Sequence, residues 1–170
     1  EYVAWCDCGD QYYHCLAFWF IMKETTTPMD VPINGVMTKV NGFDAFYSVF
    51  LEEGRNPDGE AFFFDRKDGF QFVHGKVFKR EFLERNDIHF FPECTIHEDN
   101  VLNLQVQACT QNIKWCPVPF YLWKWRDNSI CRKDPLYIKK TYTDLIKSSD
   151  CSIQWLVNKS KFDKARECIV

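Results

Sequence analysis

The sequence predicts an α/β fold, with a mixed sheet flanked by helices. Short apolar runs such as Tyr2–Cys6 alternate along the chain with longer segments of helical spacing, so strands and helices interleave. The chain has 170 residues, of which 46% are apolar and 17% aromatic, enough to bury one compact core. It is therefore read as a single domain, residues 1–170.

The elements follow in order. Tyr2–Cys6 reads as a buried strand that ends in the acidic turn Asp7-Cys8-Gly9-Asp10. Tyr12–Lys23 has Leu16, Trp19, Phe20 and Lys23 at helical spacing, with Asp10 placed as its N-cap. Thr25–Pro32, rich in Thr and Pro, reads as a loop. Phe43, Phe46, Tyr47, Phe50 and Leu51 form a helical stripe over Phe43–Glu53. Gly54–Gly59 is a turn-rich loop. Ala61–Phe64 and Phe70–Val73 read as strands joined by a hairpin turn. Lys79–Asn86 predicts a short charged helix, His89–Phe91 a short strand, and His97–Gln111 a longer amphipathic helix. Ile113–Trp115 and Phe120–Trp125 read as strands divided by Pro117 and Pro119. Asp134–Ser148 and Cys151–Glu167 read as helices.

Charge and composition exclude several classes. A formal net charge of −3 lacks the basic face of a broad nucleic-acid binder. The longest apolar candidate, Cys15–Met22, falls well short of the roughly 18 residues of a membrane span. No signal-peptide pattern is visible at Glu1-Tyr2. The nine cysteines are odd in number and sparse. Several, such as Cys6, Cys109 and Cys116, lie inside apolar patterns, so most read as reduced, small hydrophobes in a cytoplasmic protein. A chain that opens inside a core strand is expected to be one piece of a larger assembly.

Three features carry chemistry. Asp7 and Asp10 sit in a turn at the end of a buried strand, where open α/β sheets place ligands. Oxygen ligands from one turn suit Mg²⁺ or Mn²⁺. The second is His97-Glu98-Asp99 at the start of a long helix, where carboxylates are favoured by the helix dipole. One of them could take a proton from a hydroxyl group. In the third, Trp123-Lys124-Trp125-Arg126, aromatic and basic residues alternate on a strand. Arg126 and Arg132 could neutralise a phosphate. The aromatic faces suit sugar rings. Each feature also has a structural reading, as a turn, a capping cluster and an edge strand.

Tyr2-Val3-Ala4-Trp5-Cys6-Asp7-Cys8-Gly9-Asp10, then His74–Leu83 with Ile88–Glu93, then His97-Glu98-Asp99-Asn100 with Tyr121–Arg132, together resemble family 2 glycosyltransferases, the inverting enzymes of the GT-A fold. The likeness spans about residues 2 to 142. It implies a partial GT-A-like sheet and transfer of a sugar from a nucleotide-sugar donor to a carbohydrate or other hydroxyl acceptor. It implies Mn²⁺ or Mg²⁺ at Asp7 and Asp10, and Asp99 as the base with Glu98 beside it. His97, Lys76, Trp125, Arg126 and Arg132 are then expected at the donor or acceptor. Two departures stand out. Gly9 occupies a position where many members carry a metal-binding Asp. The family's N-terminal nucleotide-binding half is also missing from the sequence, so a second chain supplying it is an expected partner. A non-catalytic module that keeps part of the fold is the competing reading. Cys6, Cys8, His14 and Cys15 also have the ligand types of a zinc site, but their strand and helix directions diverge.

Overall fold

A computed structural model describes residues 2–12, 17–24, 28–33, 36–53, 62–63, 72–124, 126 and 137–161. The elements are β1 (Tyr2–Ala4), β2 (Gln11–Tyr12), α1 (Ala17–Glu24), β3 (Pro28–Ile33), β4 (Val36–Asn41), β5 (Ala45–Glu53), β6 (Phe62–Phe63), β7 (Lys76–Lys79), α2 (Arg80–Asn86), α3 (Glu98–Cys109), β8 (Ile113–Lys124) and α4 (Tyr137–Asn158). The main sheet runs β1-β7-β5-β8-β2, with β6 also on β5. The β5–β8 pair is parallel and the other pairs in this sheet are antiparallel, which gives the mixed sheet the sequence predicts. β3 and β4 form a separate antiparallel hairpin.

The central strand corrects one expectation. Phe43–Glu53 was expected as a helix, but Ala45–Glu53 is the strand that pairs with β6, β7 and β8. Ala45, Phe46 and Tyr47 are each 0% exposed, so the segment is buried on both faces. A doubly buried strand shows an apolar run, which periodicity cannot tell from a helix. Alternate residues of β5 and β7 enter two separate cores. Tyr47 and Phe78 pack with Phe82, Leu102, Val106 and Trp155 beneath α2, α3 and α4. Phe46 and Val77 pack with Ala17 and Ile21 of α1, and with Phe120. Helices thus cover both sheet faces.

Other boundaries shift for local reasons. Tyr12 belongs to strand β2 rather than to a helix, and α1 begins at Ala17. The expected loop Thr25–Pro32 overlaps β3, whose prolines sit in a two-stranded hairpin, an edge position where a missing N–H is tolerated. The strands expected on either side of Pro117 and Pro119 are one strand, β8. Its register with β5 shifts between Ser48 and Phe50, and the prolines fall in that irregularity. His89–Phe91 is not a strand. The buried Gln105 side chain binds both backbone groups of His89, accepting from its N–H at 3.1 Å and donating to its C=O at 2.9 Å. The helices expected as Asp134–Ser148 and Cys151–Glu167 are continuous as α4, which Trp155 Nε1 ties to the Asp87 carbonyl at 3.1 Å. Gly54–Gly59 and the Asp65–Gly69 turn lie outside the described residues. Within them no helix is long and apolar enough to cross a membrane, and Cys6, Cys8, Cys94, Cys109, Cys116 and Cys151 are free thiols.

Candidate active site

The site gathers where β1 ends and β7 begins. Their antiparallel register pairs Ala4 with Val77, and continuing it beyond both strands brings Asp7 opposite His74. Likewise β2 pairs Gln11 with Leu122, so Asp10 arrives beside Trp123 and Lys124. Gly75 makes the turn into β7 at φ 67°, and a Cβ there would stand 3.1 Å from Ser48 Oγ. Glycine is thus needed for both conformation and space.

Among the described residues, Asp7, Asp10 and His74 form a potential metal-binding cluster. One ligand atom from each lies within 4.8 Å of the others. His74 Nε2 is 3.9 Å from Asp7 Oδ2. The imidazole is stacked between the Phe72 and Tyr121 rings, at 5.6 and 5.3 Å between centroids. Burial lowers the His74 pKa and Lys76 adds to that, while Asp7 and Asp10 oppose it. A neutral imidazole is the form that binds metals. His74 is a candidate ligand that the sequence reading does not find. Its one sequence signal is the His-Gly turn directly before an apolar strand.

Asp10 is not a helix N-cap. Its side chain is 0% exposed, and its carboxylate is held by the end of β8. Oδ1 accepts from the Lys124 amide at 3.1 Å and from Arg126 Nη2 at 2.8 Å, and Oδ2 accepts from the Tyr121 hydroxyl at 3.0 Å. The same hydroxyl accepts from the Asp7 amide at 3.0 Å. Oδ2 keeps a lone pair, and the Asp7 side chain is 55% exposed, so two oxygens and one nitrogen are available to a cation. The two carboxylate oxygens suit Mn²⁺ or Mg²⁺, and the imidazole nitrogen favours the transition metal of the two.

Gly9 has its own explanation. Its φ is +89°, and a Cβ there would lie 2.8 Å from Arg126 Nη1. The space a side chain would need is filled by the guanidinium that neutralises Asp10. Gly9→Ala is expected to cost roughly 1–2 kcal/mol, read as a lowered melting temperature, because it strains the backbone and displaces Arg126. An unchanged melting temperature would contradict that packing.

Asp99 lies in the first turn of α3, after His97 at φ 67°. Its Oδ2 accepts from the Val73 amide at 3.3 Å. Burial pushes the Asp99 carboxyl up to about 7, helped by the Glu98 and Asp7 charges and opposed by the Val73 hydrogen bond and by Lys76. Val73 precedes His74, so the hydrogen bond to Asp99 ties the helix terminus to the segment that carries the cluster. His97 Nε2 is buried with no hydrogen-bond partner among the described residues.

Lys76, expected at the donor or acceptor, is 1% exposed and turned into the protein. It donates to the Phe72 carbonyl and to Asn103 Oδ1, the latter at 3.0 Å. Arg126 is at the site, paired with Asp10. Trp125 and Arg132 lie outside the described residues, as do His14 and Cys15 of the zinc reading.

No protein-family model and no curated protein matches the sequence. Solved structures do. S. aureus TarS 1–349 in complex with UDP-GlcNAc matches with a TM-score of 0.58 at 12% identity, over 87% of this chain and 41% of that one. The same TarS segment in complex with UDP matches at 15% identity over 75% of this chain and 36% of that one, with a TM-score of 0.49, too low to add to the argument. At such identities the likeness is one of fold. The chain has a mixed α/β, glycosyltransferase-like fold and spans less than half the length of the TarS structure it matches.

Proposed function

We infer that this chain is the acceptor-side portion of an inverting glycosyltransferase of the GT-A, family 2 type. The observation that carries the reading is the hydrogen bond from the Val73 amide to Asp99, which ties a candidate base to the segment that brings His74 to a candidate cation cluster. A carboxylate poised near 7 is well matched to taking a proton at neutral pH. Asp99 would take it from the acceptor hydroxyl as that oxygen attacks the anomeric carbon. The bond to the donor diphosphate would break on the opposite face.

Asp7, Asp10 and His74 would hold Mn²⁺ or Mg²⁺. Such an ion supplies charge stabilisation to a leaving diphosphate. Glu98 keeps the Asp99 carboxyl basic through its neighbouring charge. Arg126 holds Asp10 in place and adds positive charge at the same end of the sheet. The match to TarS bound to UDP-GlcNAc makes that nucleotide sugar the first donor to try.

A binding module without turnover is the second reading, and it too has an observation. Arg126 already stands 2.8 Å from Asp10, a fixed cation against a candidate ligand. A nucleotide-sugar screen with Mn²⁺, run on this chain and on a form extended upstream, separates the two. The enzyme reading expects turnover that EDTA abolishes. It also expects Mn²⁺ binding, followed by electron paramagnetic resonance, to weaken in His74→Phe by more than the ~10-fold that loss of an outer-shell partner costs. Mn²⁺ binding without turnover in either form favours the binding module. Mn²⁺ affinity unchanged in His74→Phe removes His74 from the ligand set.

A further inference from the structure

Burying a cation costs several kcal/mol unless it is well compensated. Lys76 is nevertheless 1% exposed at the start of β7. Its ammonium meets the Phe72 carbonyl oxygen, Asn103 Oδ1 at 3.0 Å and the face of the Tyr47 ring, 4.5 Å from the centroid. Asn103 Nδ2 donates to the same Phe72 carbonyl at 3.1 Å. Two donors therefore converge on one peptide oxygen. The N–H of that same peptide unit belongs to Val73, and it donates to Asp99 Oδ2 at 3.3 Å.

The helix explains the arrangement. Asp99 and Asn103 are one turn apart on α3 and share a face. One grips the N–H end of the 72–73 peptide and the other its C=O end. Lys76 closes the clamp from the sheet side. A peptide whose carbonyl is bound by an ammonium is polarised, and its N–H becomes a stronger donor.

We propose that Lys76 is a positioning residue for Asp99, acting through the 72–73 peptide with Asn103 as its partner. The ammonium fixes the peptide plane, and the plane fixes the carboxylate. The charged groups that act on Asp99 are Glu98 from its own helix, Asp7 from the turn after β1, and Lys76 from β7. Only Lys76 among them favours the carboxylate. The proposal deepens the reading of Asp99 as the base and rests on it for its functional meaning.

Nuclear magnetic resonance tests it without turnover. In the unmodified chain the Val73 amide signal is expected to move with the Asp99 side-chain carboxyl signal, at one shared midpoint. Burial pulls the Lys76 ammonium down to about 7, opposed by Asp99, so its charge is partial where Asp99 titrates, and in Lys76→Met the Asp99 midpoint is expected to rise by up to about one pH unit. Lys76→Arg, which keeps the charge, is expected to return it most of the way. An Asp99 midpoint unchanged in Lys76→Met, or a Val73 amide indifferent to Asp99, overturns the proposal. If Lys76→Met does not fold, Lys76→Gln, which loses the charge and keeps a donor, takes its place, with the same rise expected and an unchanged Asp99 midpoint overturning the proposal. Turnover that survives Asp99→Asn would remove the base and leave these signals as they are, so the two failures are distinguishable.

Discussion

Asp99→Asn is expected to cut nucleotide-sugar turnover by about 10²–10⁴-fold, the range for losing a general base, and at the same time to make the protein more stable at neutral pH. The second effect follows from linkage. The Asp99 carboxyl is raised from 3.8 to about 7, largest cause burial. Between those values the folded chain holds a proton that the unfolded chain has released. Folding stability from this group is therefore full below the unfolded value and lost as pH rises through the folded one. Asn carries no charge to bury and can still accept from the Val73 amide. The variant should thus match the parent near pH 4 and exceed it by roughly 1–3 kcal/mol above pH 7, read from denaturant midpoints across pH. A function that keeps a destabilising carboxylate is the expected trade. Turnover that persists in the variant removes Asp99 as base. Equal midpoints at all pH values remove the burial that sets its titration.

Legibility in the sequence tracked the range of the interactions. α2 and α3 announce themselves locally, by charge and by apolar spacing, and both lie where the sequence predicts. The turn after β1 is also local, with Gly9 and two acids in four residues. β5 is not. Its helical stripe is an accident of burial on both faces, and only its pairing with β6, β7 and β8 makes it a strand. The His89 segment looked strand-like until Gln105 claimed its backbone.

The site follows the same rule. Asp7, Asp10 and Asp99 stood out because carboxylates after a strand or before a helix are recognisable one at a time. His74 did not, since its meaning depends on the register of β1 with β7, set by residues far apart in sequence. Lys76 looked like a ligand-binding cation because sequence carries no depth. Only the fold shows it beneath the 72–73 peptide.

Asp10→Ala should give the largest loss of stability. The carboxylate is fully buried, and its removal takes an acceptor from three donors at once: the Tyr121 hydroxyl, the Lys124 amide and the Arg126 guanidinium. Losing the buried acceptor shared by two donors, the Tyr121 hydroxyl and the Lys124 amide, costs roughly 3 kcal/mol in all, at about 1–3 kcal/mol for each. For a chain of this size that corresponds to a fall of about 6–12 °C in melting temperature. Arg126→Ala should cost less, since its side chain is 37% exposed and the remaining donors still satisfy Asp10. Their non-additivity in a double-mutant cycle would measure the pair itself. The same Asp10 substitution should also abolish Mn²⁺ binding if Oδ2 is a ligand, and Arg126→Ala should strengthen it by removing a competing cation. Opposite effects of the two variants on Mn²⁺, with losses of stability in both, cannot come from general unfolding. A stable Asp10→Ala protein would mean that β8 does not depend on the turn after β1. The acids of that turn would then have no fixed place from which to hold a cation.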